Sequence, residues 1–233
     1  MDATGSMLSL LSAAKETVCT MFEQASAILE TLKVPSDSFQ MQFVVYRDYD
    51  CFEDRILQSS AWESKPSNLR AFMTTVSATG GGDYEEAIEI GLWHAVQQSK
   101  KPEGLSQVIL IGDALAKDMN TIKRDRKAYG REAYWNKSKY GGESYYKNEL
   151  KQLTDRNIPV HTFYLSEGAR KNFQEIAKPL SGTCAQLDIH TSNGAESLTN
   201  YVTEEISKKA ASSQGEVAVR RYEKEYIQTS FTS

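Results

Sequence analysis

The sequence predicts an α/β fold: a doubly wound, mostly parallel central sheet with helices on both faces. Three observations lead there. Residues 107–111 (Gln-Val-Ile-Leu-Ile) are a nearly unbroken apolar run closed by Gly112, the pattern of a strand buried on both faces of a parallel sheet. Strand-like and helix-like segments alternate along most of the chain, as right-handed crossover connections require. The 233 residues are 40% apolar and 25% charged, which suits one large domain or one domain with a tail and argues against disorder.

The elements follow in order. Residues 7–33 carry Leu8, Leu11, Val18, Phe22, Ala25, Leu29 and Leu32 near one stripe of a 3.6 period, so a helix is expected until Pro35 and its serines break it. Residues 41–46 (Met-Gln-Phe-Val-Val-Tyr) are β-rich and read as a strand. Residues 56–62 are a short partner strand, with Asp54 and Arg55 at the turn. A short helix follows Pro66 over 67–76. Thr79-Gly80-Gly81-Gly82-Asp83 must be a loop, because three glycines cost too much entropy inside an element. Residues 85–98 form a helix with Ile88, Gly91, Leu92 and Ala95 on one face. After the 107–111 strand, residues 114–141 show no clean period. Then come a helix at 144–156, a strand at 158–165, a helix at 169–180, a short strand at 184–187 and a final helix at 195–209. Residues 210–215 read as a hinge, giving a domain over 1–210 and a C-terminal tail or added element over 211–233; Arg220 to Tyr226 is a charged stretch expected to pack by its tyrosines.

Composition excludes several function classes. With 27 basic and 31 acidic residues the net charge is -4, which argues against a general nucleic-acid binder. No apolar run approaches the roughly 18 residues of a membrane helix. Residues 1–6 lack the basic and apolar regions of a secretory signal, and Cys19, Cys51 and Cys184 form no CxxC pair. The expectation is a cytoplasmic protein with free thiols. His94, His161 and His190 form no HxxxH pair, so zinc is not expected.

Ligands of open α/β sheets bind at the carboxyl ends of the strands. Three segments bring polar residues there. Asp2-Ala3-Thr4-Gly5-Ser6 opens directly into the first helix. The Thr79–Asp83 loop precedes a helix and carries Asp83, with Glu86 three residues on. Asp113 ends the 108–111 strand. Together they offer carboxylate and hydroxyl oxygens and no soft ligand, a donor set that selects Mg²⁺, Mn²⁺ or Ca²⁺. In a turn leading into a helix, the alternate residues of Asp-x-Thr-x-Ser can point toward one centre. Each such residue by itself is more often a helix cap, and only their order and strand-end placement point to a metal.

These same motifs resemble the von Willebrand factor type A domain family. Asp2-Ala3-Thr4-Gly5-Ser6 matches that family's Asp-x-Ser-x-Ser motif with Thr at the middle hydroxyl, and Asp113 matches its acidic residue after the fourth strand. The resemblance implies a Rossmann-like fold and a metal-ion-dependent adhesion site at Asp2, Thr4, Ser6, Asp83 and Asp113. Thr79 and Glu86 are the other candidates from the middle loop. Tyr46-Arg47-Asp48-Tyr49 and the glycine loop are similar to the intracellular subgroup fused to atypical α-kinases, though no kinase motif is present. In that family a buried central strand precedes the first motif. Here only Met1 precedes Asp2, so the first central strand is expected to be missing and the chain to be a fragment or an N-terminally shortened product.

The function the resemblance implies is a protein-binding module without catalysis. A divalent cation, Mg²⁺ or else Mn²⁺ or Ca²⁺, would complete its coordination through an exposed Asp or Glu of a partner protein. The alternatives are an Mg²⁺-dependent hydrolase or phosphoryl-transfer enzyme with Asp83 or Glu86 as base, and a scaffold with a vestigial site. Residues 114–141 hold eight basic and three acidic side chains, with Tyr129, Tyr134, Trp135 and Tyr140 among them. The favoured reading is a solvated insertion with its aromatics packed on the domain. A partner surface comes second and nucleic acid a distant third.

Overall fold

The computed structural model describes residues 1–31, 39–142, 144–189 and 200–201. The chain divides into two compact units. The first comprises Met1–Leu11, Val44–Ser59 and Val76–Leu187; the described part of the second is drawn mainly from Ser12–Phe43 and Ser60–Thr75. The expected helix at 195–209, the hinge, the tail over 211–233 and the helix end at 32–33 lie outside the described residues, apart from positions 200–201.

In the first unit, strands β3 (Val108–Gly112), β4 (Val160–Tyr164) and β5 (Cys184–Gln186) form a parallel sheet in that order, with Val108 opposite Val160 and Thr162 opposite Cys184. All of β4 is buried, including His161 and Thr162, whose polar atoms bond Thr183 N and Phe173 O. Strands β1 (Val44–Tyr46) and β2 (Leu57–Ser59) pair antiparallel across the short helix α2 (Glu53–Ile56), which occupies the place expected for a turn. Acidic residues Glu53 and Asp54 in its first turn favour the helix start.

The first central strand is not wholly absent. Asp2 N donates to Ile111 O at 2.9 Å, Ala3 N to Tyr46 O at 3.0 Å, and Tyr46 N to Met1 O at 3.1 Å. Residues 1–3 thus run between β1 and β3, parallel to β1 at the Asp2–Tyr46 bridge. They carry Asp2 to the carboxyl end of the sheet, beside the end of β3.

Helices flank this sheet. α4 (Ile88–Ser99) packs on β1 and on α7 (Tyr146–Thr154), and α8 (Arg170–Ala177) packs on β4 and β5. α4 rests so closely on Tyr46 that a Cβ at Gly91 would lie 2.9 Å from its ring. α4 begins at Ile88 rather than 85, because Glu86 is held in a parallel bridge to Ala116, with its N bonded to Leu115 O. The aperiodic stretch 114–141 contains two helices, α5 (Met119–Ala128) and α6 (Arg131–Trp135). Their signal was hidden because the buried residues of α5 are Ile122, Asp125 and Arg126, two of them charged. Asp118 caps α5, its Oδ1 accepting from Thr121 N at 2.7 Å. Trp135 and Tyr140 are buried and pack edge-to-face against Tyr49 and Trp93, which is the packed-insertion outcome for these two aromatics.

The second unit contains α1 from its second residue onward (Leu11–Thr31, entered through a 3-10 turn at Gly5–Ser9) and α3 (Pro66–Thr74). Phe22, Ala25 and Leu29 are buried on α1 and Leu69 and Met73 on α3; Arg70 bonds Glu16 through two nitrogens and reaches Glu23. Among the described residues no helix is long and apolar enough to cross a membrane.

One buried acid on α4 has a measurable consequence. Glu89 is fully buried, accepts from Tyr49 Oη at 2.8 Å, and leaves Oε2 without a partner. Burial pushes its carboxyl up to about 8. The folded chain therefore holds a proton there that the unfolded chain releases near pH 4.5, so this group's contribution to stability falls as pH rises from about 4.5 to 8. Glu89→Gln should melt higher than the parent at pH 8, with the gap closing at pH 5. Equal differences at both pH values would sink the prediction.

Candidate metal site

Four of the expected residues meet at the carboxyl end of the sheet. Thr4 N and Thr4 Oγ1 both donate to Asp2 Oδ1, at 2.8 and 2.9 Å. Thr4 Oγ1 lies 3.1 Å from Ser6 Oγ, and Ser6 Oγ donates to Asp113 Oδ1 at 3.1 Å. Asp2 and Thr4 are fully buried, Asp113 is half-buried and Ser6 is exposed, so the cluster is closed on one side and open to solvent on the other. Asp2 comes from the central strand segment and Asp113 from the residue after β3, which the Asp2 N to Ile111 O bond holds side by side.

The glycine loop closes over this cluster. Gly5 N donates to Gly80 O at 2.7 Å and Thr79 N to Ala3 O at 2.9 Å. Gly80 and Gly81 have φ of 77° and 86°, a conformation that favours glycine. A Cβ on Gly81 would lie 3.0 Å from Thr4 Cβ and 3.2 Å from Glu86 Oε1. Glycine is thus required both for backbone shape and for space, and Glu86 is brought to the edge of the Asp2–Thr4 pair. Thr79 fixes the loop through its backbone.

Asp83 goes elsewhere. Its Oδ1 accepts from Lys117 Nζ and its Oδ2 from Arg124 Nη2, both at 2.6 Å. Lys117 is completely buried and also meets Asp48 and Asp125, each at 2.9 Å. Burial pulls the Lys117 ammonium down, but Asp48, Asp125 and Asp83 outweigh it and hold its pKa above the usual lysine value. These three aspartates are the described acidic group whose oxygens lie close enough, within 4.8 Å, to hold a cation, yet the ammonium already stands among them. In the sequence Lys117 and Asp125 stand only among the eight basic and three acidic side chains of residues 114–141, and no local spacing connects them with Asp48. The available signal was a lysine in the short apolar stretch that follows Asp113.

Among the described residues no cation is bonded to Asp2 or Glu86 as Lys117 is to Asp83. Asp2 Oδ2 and Glu86 Oε2 are buried without a hydrogen-bond partner. Burial, and then neighbouring charge, push Glu86 up to about 10; burial against the Thr4 bonds leaves Asp2 at about 7. Orphaned buried carboxylate oxygens beside two hydroxyls are a hard-oxygen donor set short of positive charge, and they fit a divalent cation.

A doubly wound domain with hydroxyls and carboxylates gathered at the carboxyl ends of its strands defines a class: α/β domains that present a polar, oxygen-rich cluster at the sheet edge. Comparison with known proteins makes the assignment specific. A family model for the von Willebrand factor A domain matches residues 1–129, and the chain belongs to that family. An ariadne-like RING finger protein of Acanthamoeba polyphaga mimivirus is 35% identical over 86 residues, covering 37% of this chain and 8% of the viral protein. Among solved structures, the pilus adhesin SpaC from Lactobacillus rhamnosus GG is similar with a TM-score of 0.56 and 13% identity, over 88% of this chain and 29% of SpaC. The SpRpn10 VWA domain is similar with a TM-score of 0.54 and 12% identity, over 86% of this chain and 90% of that domain. At these identities the structural likeness concerns the fold alone.

Proposed function

We propose that this chain is a metal-ion-dependent protein-binding module. Its family commonly mediates protein interactions. In this reading Asp2, Thr4, Ser6, Asp113 and Glu86 hold a divalent cation, Mg²⁺ or alternatively Mn²⁺ or Ca²⁺, and an Asp or Glu of a partner protein supplies a further oxygen from the open side. The observation that carries it is the asymmetry of the cluster: orphaned carboxylate oxygens at Asp2 and Glu86 underneath, and an exposed Ser6 bonded to Asp113 on top. When bound, a cation would neutralise the Asp2 and Glu86 carboxylates and would offer Lewis acidity to a partner's carboxylate. Thr4 and Ser6 orient the carboxylates, and the glycine loop excludes side chains from the cluster.

Asp83 belongs instead to the Lys117 ion-pair group, which fastens the loop carrying Glu86. We read the site as one for binding rather than catalysis. The free thiols of Cys19, Cys51 and Cys184 support a reducing, cytoplasmic setting.

The test is the melting midpoint of the chain in EDTA and then in Mg²⁺ or Mn²⁺, with Asp113→Ala as control. A ligand at about 100 times its Kd adds roughly 2.7 kcal/mol, a rise of several degrees at this size. The rise should vanish in Asp113→Ala. A parent chain with no metal response would overturn the reading.

A further inference from the structure

We infer that the surface running from Ser6 across the glycine loop to the shallow concavity between α5 and α6 binds an acidic segment of the partner protein. This rests on the metal-dependent reading above and extends it from a single coordinating carboxylate to a docking track.

The concavity is lined by Lys123, Lys127 and Arg131, with Glu132 and Ala133. Lys123 and Lys127 stand one helical turn apart on α5, and all three cations are exposed. Of the other five basic residues of the segment, Lys117 and Arg126 are buried, Arg124 bonds Asp83 and Asp125, Lys139 lies over the Tyr140 ring, and Lys137 is exposed away from the concavity's lining. Lys123, Lys127 and Arg131 form no ion pair among the described residues, while Glu132 is turned to Arg126 at 3.6 Å. A cluster of unpaired cations on a chain of net charge -4 is a local complement for carboxylates.

The glycine loop approaches both the candidate metal site and the segment that carries this concavity. A Cβ at Gly81 would touch Thr4 and Glu86, and a Cβ at Gly82 would lie 3.5 Å from Tyr129 Oη. Tyr129 then leads through Gly130 into α6. Gly81 therefore adjoins the Asp2–Thr4 cluster, and Gly82 adjoins the side chain of Tyr129. Tyr84, which follows the glycine loop, and Tyr129 are 59% and 45% exposed. Exposed tyrosines beside arginine and a bare strip suit a protein interface. Single-stranded nucleic acid binds through successive stacking rings, but of the four rings of this segment Trp135 and Tyr140 are buried in the core and Tyr134 packs between Phe52 and Trp135, which leaves Tyr129 exposed.

The experiment is fluorescence anisotropy of a labelled oligoglutamate peptide titrated with the full chain, in Mg²⁺ and in EDTA, beside a labelled oligothymidylate. The peptide should bind in both conditions and more tightly in Mg²⁺. The double variant Lys123→Glu, Lys127→Glu should weaken peptide binding about tenfold or more in both conditions while keeping the Mg²⁺-dependent rise in melting midpoint. Lys123→Gln, Lys127→Gln should give an intermediate loss, which guards against a folding artefact of charge reversal. Asp113→Ala should lose only the gain due to Mg²⁺. Unchanged peptide binding in the double variant would overturn the inference, as would an oligothymidylate that outcompetes the peptide. Peptide binding that depends on Lys123 and Lys127 but not on metal would sustain the docking surface and sink the metal reading.

Discussion

Replacing Lys117 with Met should lower the melting midpoint by roughly 10 °C, because removing one partner of a buried charge group costs about 3–5 kcal/mol. The ammonium stands among Asp48, Asp83 and Asp125, contributed respectively by the segment after β1, the glycine loop and α5. Methionine fills the space and leaves the buried Asp48 carboxylate without its cation, while Asp125 keeps only its bond to Arg124. The loss should be non-additive: adding Asp48→Asn to the Lys117→Met chain removes one uncompensated charge and should restore about 1–2 kcal/mol. If Lys117→Met melts within a degree or two of the parent, the ammonium is not holding these elements together. A strictly additive double variant would show that Asp48 and Lys117 are not coupled.

Glu86→Gln should invert its effect with metal. In EDTA the parent folds only by placing the Asp2 and Glu86 carboxyls together in a buried site, and Glu86 is pushed up to about 10. Folding thus takes up a proton at Glu86 wherever the pH lies between its unfolded value near 4.5 and about 10, and stability from this group falls as pH rises through that window. Glutamine has no proton to take up, so in EDTA at pH 8 the variant should be more stable than the parent, by on the order of 1 kcal/mol. In Mg²⁺ the order should reverse, since the parent gains roughly 2.7 kcal/mol at 100 times Kd and the variant loses most of that gain. The measurement is four melting curves, parent and variant, each with EDTA and with Mg²⁺. A variant that keeps the full Mg²⁺ response would remove Glu86 from the ligand set and return that place to Asp83 or Thr79.

The two predictions concern neighbouring carboxylates that differ in how legible they were. Asp2, Thr4, Ser6 and Asp113 could be read directly, because alternation in a turn and position after an apolar strand are local patterns. The hydrogen bonds from Thr4 to Asp2 and from Ser6 to Asp113 follow that order. Asp83 and Glu86 could not be ranked from sequence. They are three residues apart, and both follow the glycines. What separated them was Lys117, whose Nζ takes Asp83 Oδ1, while the bridge of Glu86 to Ala116 turns the other acid toward Thr4. No local spacing encodes that choice.

The same division runs through the fold. Strands β3 and β4 were legible because burial on both faces demands continuous apolar side chains. α5 was not, because its buried side chains include Asp125 and Arg126, and charge at core positions erases the periodic signal. The sequence by itself determined the α/β alternation, the hydroxyl–carboxylate motif and the excess of basic residues after Asp113. Tertiary structure alone decided which acid lies beside Thr4, which of those basic residues are buried as counter-ions, and which remain exposed. The physical reason is range. Hydrophobic periodicity and turn geometry act between residues a few positions apart, whereas desolvation and charge pairing depend on which distant segments the folded chain has brought within about 3–4 Å.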